Sequence, residues 1–166
     1  ASDTYNASHL AGSFNIPSGE GDRFETWAGT IIAPGESIVL AVDDDSEARS
    51  AITRLYKIGY DEQVKGYVVV GQQAKLEASD DNLDLQRLRE HPEDYTIVDV
   101  RSIADQHDRA FSSAQDIPLQ QLRGRVNELS ASKPIVVHCA GGYRSAVASS
   151  IIRALIPGTT VYDLGE

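Results

Sequence analysis

The chain has 166 residues, enough for one ordinary domain or two small ones. Hydrophobic residues make up 41% and charged residues 24%, which is enough for a buried core, and no apolar run approaches the roughly 20 residues that cross a bilayer. The formal net charge of −10, with no cluster of Lys and Arg to offset it, argues against nucleic acids and anionic membranes as partners.

The chain contains one cysteine and no methionine. One cysteine cannot form an intramolecular disulfide, and we expect a cytoplasmic location in which thiols stay reduced. The lack of methionine, even at position 1, indicates either a fragment of a longer protein or a sequence from which selenomethionines were left out. Because a lone cysteine is most often a small buried side chain, its neighbours must decide whether it is reactive.

A strand, helix and strand pattern occurs twice along the chain. Short β-branched runs indicate buried parallel strands, and apolar residues three and four apart indicate the helices. The predicted elements are Ser37–Val42, Ser46–Ile58 and Val64–Val70 in the first copy, and Pro134–His138, Tyr143–Leu155 and Thr160–Leu164 in the second. Laying Ile38 on Ile135 aligns the copies without a gap, which indicates a duplicated α/β unit with a spacing near 97 residues.

The second copy has additional predicted elements, namely a helix over Leu83–Arg89, a strand over Tyr95–Val100 and a helix over Leu119–Leu129. This alternation predicts the α/β class, with mainly parallel sheets flanked by helices. We expect two domains, residues 1–75 and 83–166, joined by a polar linker near Gln72–Asn82. Nothing before His9 resembles the strand Tyr95–Val100, so the first domain is expected to be incomplete at its N-terminus.

The only cysteine, Cys139, lies between a predicted strand and a predicted helix, in the segment His138–Ser145. The carboxyl end of a parallel strand faces the crevice where α/β proteins bind ligands. Small residues follow, and the glycines can turn successive backbone N–H groups inward to form a nest for an anion. Because the next helix begins there as well, its N-terminal N–H groups favour a thiolate or a persulfide anion at Cys139.

This segment resembles the active-site loop of rhodanese-homology domains, and Ile97–Arg101 resembles that family's strand-end Asp-Val-Arg motif. The resemblance implies a catalytic persulfide on Cys139 and no cofactor or metal. The remaining roles it implies are catalysis for Arg144, binding of the outer sulfur by Ala140, Gly141, Gly142, Tyr143 and Ser145, and support of the site by Asp99 and Arg101.

Some of these residues have simpler interpretations. Asp99 and Arg101 could equally form one structural ion pair, and Ser145 is better explained as a helix N-cap than as a hydroxyl that acts on substrate. His138 is adjacent to Cys139, but neighbouring strand residues point to opposite faces, so a general-base role is not expected. His9, His91 and His107 show no metal-binding spacing.

The first copy is expected to be catalytically inactive. Val42 occupies the position of Cys139, and Asp43–Asp45 would place three carboxylates at the following helix start, where they repel a persulfide. Together with Phe24–Gly29, this region resembles the degenerate rhodanese domain of fusions with a metallo-β-lactamase-fold persulfide dioxygenase. The resemblance implies a fused or partner dioxygenase, whose His-x-His-x-Asp-His motif is not in this chain.

The leading functional prediction is sulfur transfer from thiosulfate or a persulfide to a thiol, sulfite or cyanide. A cysteine phosphatase or arsenate reductase is an alternative, but those enzymes have five residues between Cys and Arg, whereas four separate Cys139 from Arg144. A second alternative is a non-catalytic docking or regulatory module of a sulfur-metabolism enzyme, which suits the first copy better than the second.

Overall fold

The protein is described by a computed structural model that covers residues 2–72, 76–79, 82–105 and 110–165. The chain divides into two compact units, residues 1–79 and 80–166. The division falls inside the predicted linker Gln72–Asn82, of which residues 73–75, 80 and 81 lie outside the described residues. His107 also lies outside them.

The first unit contains two small sheets and three helices among its described residues. Strands β2 and β3 pair in parallel, and β1 pairs with β4 in antiparallel fashion. The elements are α1 (Ser2–Ala7), β1 (His9–Leu10), α2 (Phe24–Ile31), β2 (Ile38–Val42), α3 (Asp45–Tyr56), β3 (Val64–Val69), a 3₁₀ turn (Val70–Gln72) and β4 (Leu76–Glu77). Their core is formed by Phe24, Ala28, Ile38, Ala51, Leu55 and Tyr60.

The second unit is built on a four-stranded parallel sheet in the order β6-β5-β7-β8. Its elements are α4 (Leu85–Glu90), a 3₁₀ turn (Pro92–Asp94), β5 (Thr96–Asp99), a 3₁₀ turn (Ile103–Asp105), β6 (Gln115–Asp116), α5 (Leu119–Arg125), a 3₁₀ turn (Val126–Glu128), β7 (Ile135–His138), α6 (Tyr143–Leu155) and β8 (Val161–Gly165). All residues of β5 and β7 are buried, as expected for parallel strands covered on both faces. The predicted α/β class is confirmed.

The two units share one pairing register. Ile38 pairs with Val64 in the first unit, and Ile135 pairs with Val161 in the second, so both partners recur after 97 residues. The gap-free alignment of the two sequences therefore corresponds to a repeated strand-helix-strand geometry.

Most of the predicted boundaries agree with the structure to within two residues, and the helix Tyr143–Leu155 agrees at both ends. The helix predicted over Leu119–Leu129 is shorter, because α5 ends at Arg125 and the chain continues as the 3₁₀ turn Val126–Glu128. Within the described residues, no helix combines the length and the apolar character that a bilayer span demands.

A row of residues crosses the carboxyl edge of the second unit's sheet. Asp116 is the register partner of Asp99, Asp99 is the partner of His138, and His138 is the partner of Gly165. Cys139 directly follows His138, the last residue of β7, which is one of the two inner strands of the sheet. The strand order therefore places the cysteine at the edge where ligands bind in α/β proteins.

Candidate active site

Cys139 directly follows the last residue of β7, and a tight turn connects it to α6. Its residue exposure is 6%, so the thiol is nearly enclosed. Gly142 occupies the N-cap position with φ +75°, a left-handed conformation that is strained for residues with a Cβ. This glycine lets the helix begin at Tyr143, close to the sulfur.

Among the described residues, three polar atoms lie close to the Sγ atom of Cys139. The backbone N–H of Ser145 donates to Sγ at 3.4 Å, the Ser145 Oγ lies at 3.5 Å, and the carbonyl oxygen of Gly165 lies at 3.9 Å. A protonated thiol can donate to either oxygen, whereas a thiolate can accept from the N–H and the hydroxyl of Ser145. The sulfur can therefore both donate and accept a hydrogen bond in this site.

The turn leaves several backbone donors available near the sulfur. The N–H groups of Ala140, Gly141, Gly142 and Arg144 donate to no acceptor within the described residues. The N–H of Tyr143 instead donates to the carbonyl oxygen of Gly141 at 2.9 Å. Four of the five N–H groups of the loop therefore have no acceptor among the described residues, and the fifth donates within the loop.

The prediction that Ser145 is a helix N-cap is wrong. Gly142 holds that position, and Ser145 is the third residue of α6 because the left-handed turn starts the helix earlier. The fully buried Ser145 hydroxyl donates to the carbonyl oxygens of Gly142 at 3.0 Å and Gly165 at 3.5 Å. Its contact with Sγ makes it part of the cysteine site.

Gly165 is a site residue that the sequence reasoning missed. It ends β8 with φ +74°, and its own N–H donates to the Asp163 carboxylate at 3.0 Å. Its carbonyl oxygen accepts from the Cys139 N–H at 3.5 Å and faces the Ser145 hydroxyl. Only the repeat geometry, which places the end of β8 beside the end of β7, could have indicated this contact.

Arg144 does not extend freely from the helix start. Its Nη1 lies 3.3 Å from the Asp105 carboxylate, which also accepts from the Ser102 hydroxyl at 2.7 Å. The pKa of Asp105 lies below its ordinary value. The hydrogen bond from the Ser102 hydroxyl is the largest cause, and the one from Arg144 is the second. Asp105 belongs to the 3₁₀ turn after β5 and was not identified from the sequence.

Asp99 and Arg101 form a bidentate ion pair at the end of β5. The Arg101 Nη2 lies 2.6 Å from Asp99 Oδ2, and the Arg101 backbone N–H donates to Oδ1 at 3.0 Å. Asp99 is 1% exposed. Burial acts to raise the pKa of Asp99, but the hydrogen bonds from Arg101 more than offset it, so the net shift is downward. The structural ion pair anticipated from the sequence is therefore present.

His138 packs into the same buried cluster. Its Nε2 lies 3.9 Å from Asp99 Oδ2 and has no hydrogen-bond partner among the described residues, and its ring contacts Phe111 edge-on at 5.6 Å. Burial is the main cause that lowers the pKa of His138, although Asp99 opposes it. The surroundings of the imidazole therefore disfavour its charged form.

The equivalent turn of the first unit is filled by its own carboxylates. Asp44 Oδ1 accepts from the N–H groups of Ser46 at 2.7 Å and Glu47 at 2.9 Å, and Glu47 Oε2 accepts from the N–H of Asp43 at 2.8 Å. Val42, at the position of Cys139, is buried. An anion at this turn would find these backbone N–H groups already hydrogen-bonded and would be repelled by the carboxylates of Asp44 and Glu47.

The sequence pattern of the rhodanese-like domain family matches residues 83–165, which include the whole Cys139 site. The chain belongs to the rhodanese-like family. No curated protein matches the chain closely enough to count as a relative. The match covers the second unit and leaves the first unit outside it, so the rhodanese-like assignment of residues 1–75 remains a prediction.

Several solved structures are similar to parts of this chain. A rhodanese-related protein from Thermoplasma volcanium is 28% identical with a TM-score of 0.45, over 51% of this chain and 82% of that one. A human single-domain sulfurtransferase is 24% identical with a TM-score of 0.41, over 49% and 85%. An NAD-dependent persulfide reductase from A. fulgidus is 25% identical with a TM-score of 0.41, over 72% of this chain and 17% of that one.

Proposed function

We propose that the second unit is a sulfurtransferase in which Cys139 carries sulfane sulfur as a persulfide. The observation that carries this proposal is the double contact of Ser145 with the Cys139 Sγ, at 3.4 Å from its N–H and 3.5 Å from its hydroxyl. The N–H donates to Sγ, and the hydroxyl, which accepts from the thiol, can rotate to donate to a thiolate, so both groups can stabilise the sulfur as an anion. The four available N–H groups of the loop can then bind the second, outer sulfur.

In the first half-reaction, the Cys139 thiolate attacks the sulfane sulfur of a donor. With thiosulfate, the new S–S bond forms as the bond to the sulfonate sulfur breaks, and sulfite leaves with the electron pair. With an organic persulfide, the leaving group is the donor thiolate. The Ser145 hydroxyl, which can donate to Sγ, helps to hold the attacking sulfur in its ionised form.

In the second half-reaction, a thiol, sulfite or cyanide attacks the outer sulfur, and Cys139 leaves as a thiolate. The cycle is covalent and ping-pong. Because the sulfur of Cys139 is itself the carrier, this transfer calls for no separate cofactor. The small loop supports sulfur transfer over phosphate chemistry, since four residues between Cys139 and Arg144 enclose less space than the five of a phosphatase loop.

For the first unit, we propose a degenerate, non-catalytic rhodanese-like domain, with domain boundaries at residues 1–75 and 83–166. The carboxylates of Asp44 and Glu47, which occupy the backbone donors of the equivalent turn, support this assignment. A docking role toward a fused or partner persulfide dioxygenase is the corresponding proposal for that unit.

Intact-mass spectrometry tests the proposed transfer. The protein is incubated with thiosulfate or with the methanethiosulfonate anion, and the mass is compared before and after a reducing agent. We expect the gain of one sulfur that reductant removes and that Cys139→Ser lacks. No gain with either donor, or hydrolysis of an aryl phosphate instead, would contradict the proposal.

A further inference from the structure

The turn that holds the sulfur carries a single charged side chain. In the segment Cys139–Ser145, that residue is Arg144, and the others are uncharged or a thiol. The attraction that this turn exerts on an anionic donor therefore depends on what the guanidinium of Arg144 contacts.

Arg144 is engaged by a carboxylate from another part of the second unit. Its Nη1 lies 3.3 Å from Asp105 Oδ2, with the two side chains 23% and 52% exposed. The hydroxyl of Ser102 donates to the same Asp105 oxygen at 2.7 Å, so the carboxylate is fixed from its own turn as well. The charges of Arg144 and Asp105 cancel, in a chain whose net charge is −10.

We propose that Asp105 is a specificity-determining residue that directs the site toward sulfur donors with a single negative charge and against the thiosulfate dianion. This inference rests on the proposed sulfur transfer and names the donor class for it. The favoured donors are persulfide anions of small uncharged thiols and thiosulfonate anions.

The physical reason is that the electrostatic energy of the approaching donor scales with its charge. Because Asp105 neutralises Arg144, a dianion loses twice the attraction to the guanidinium that a monoanion loses. Charges at the rim of a site act mainly on the association rate and on its salt dependence. The discrimination should therefore appear in the second-order rate of persulfide formation.

Thiosulfate and methanethiosulfonate form a matched pair of donors, because a methyl group in the second replaces one charged oxygen of the first. Each transfers its outer sulfur to the Cys139 thiolate, and the leaving groups are sulfite and methanesulfinate. The ratio of their second-order rate constants, followed by mass spectrometry of the intact chain, measures the charge preference.

In Asp105→Asn, we expect the ratio of thiosulfate to methanethiosulfonate rates to rise about fivefold, which corresponds to the upper range for an exposed ion pair. The rise should shrink at high salt. Asp105→Glu keeps the charge and should retain the wild-type ratio. Asp94→Asn is the matched control, because Asp94 forms a similar exposed pair with Arg87 before β5, at the opposite end of that strand.

An unchanged ratio in Asp105→Asn, or an equal rise in Asp105→Glu or Asp94→Asn, would overturn the inference while leaving sulfur transfer intact. A wild-type protein that already reacts faster with thiosulfate than with methanethiosulfonate would overturn it too. Absence of persulfide formation from both donors would instead contradict the proposed function, and the inference with it.

Discussion

The hydroxyl of Ser145 lies 3.5 Å from the Sγ of Cys139 and 3.0 Å from the carbonyl oxygen of Gly142. One rotation about its C–O bond moves the hydroxyl proton from the carbonyl to the sulfur. The hydroxyl can thus accept a hydrogen bond from the thiol and donate one to the thiolate, while the Ser145 N–H remains a fixed donor.

Removing the hydroxyl should slow the first half-reaction. In Ser145→Ala we expect about tenfold slower persulfide formation, since a hydrogen bond to a charged group contributes roughly 1.5 kcal/mol or more. The measurement is the single-turnover rate by mass spectrometry. Ser149→Ala, one helical turn later, removes a buried hydroxyl that has no partner among the described residues and should leave the rate unchanged. Equal slowing in both variants would contradict a direct role for Ser145.

The Asp99–Arg101 pair should matter for stability. Arg101→Gln leaves a carboxylate that is 1% exposed without its cation, and breaking such a buried pair costs about 3 kcal/mol or more. Urea unfolding followed by hydrogen exchange in β5 and β7 measures this loss. Arg87→Gln breaks the exposed pair with Asp94 and should have a much smaller effect. Similar losses in both variants would show that burial does not matter at Asp99.

The buried histidine should make the second unit less stable in mild acid. Burial lowers the pKa of His138 below its ordinary value of 6.5 in the folded protein. As the pH falls below that value, His138 binds a proton in the unfolded chain more readily than in the folded one. The free energy of unfolding therefore decreases. The depressed pKa of Asp99 acts in the same direction, but only below about its ordinary value of 3.8.

Hydrogen exchange of β5 and β7 amides, corrected for intrinsic pH dependence, measures this change between pH 7.5 and 5. In His138→Gln the loss of protection on acidification should be smaller than in wild type. The exposed His91 supplies the control, and His91→Gln should behave like wild type. An identical pH profile in His138→Gln would exclude this histidine as the cause.

The first unit should not become active through the cysteine alone. In a Cys139→Ser background, we expect Val42→Cys to gain no sulfur from either donor, because Asp44 and Glu47 occupy the backbone donors of that turn. The intact mass after incubation with methanethiosulfonate is the readout. A persulfide on that variant would show that the carboxylates do not block anion binding.

The strands and helices with strong patterns were predictable from the sequence. The buried run of β7 and the periodic apolar residues of α6 place Cys139 between a parallel strand and a helix, which is where the structure has it. The two-residue strands β1 and β4 were not predicted, because their pairing joins His9–Leu10 to residues 76–77 and no local pattern encodes it.

The partners of the site residues were harder to predict than the residues themselves. A structural ion pair between Asp99 and Arg101 was one of two interpretations that the sequence left open, and the structure contains it. The contact of Arg144 with Asp105 joins positions 39 residues apart through a turn whose direction the sequence does not reveal. The N-cap prediction for Ser145 failed because the positive φ of Gly142 starts the helix before the serine.

Because the chain has one thiol, and that thiol is nearly enclosed, chemical labelling of Cys139 can report on the accessibility of its site. Any reagent that adds mass or a fluorophore through sulfur chemistry can mark one atom alone, with no competing site to subtract. A graded series of alkylating agents, from small to bulky, would therefore read out how far the Cys139 turn opens in solution. The same series applied after sulfur loading would show how far the outer atom protrudes beyond the backbone that surrounds it.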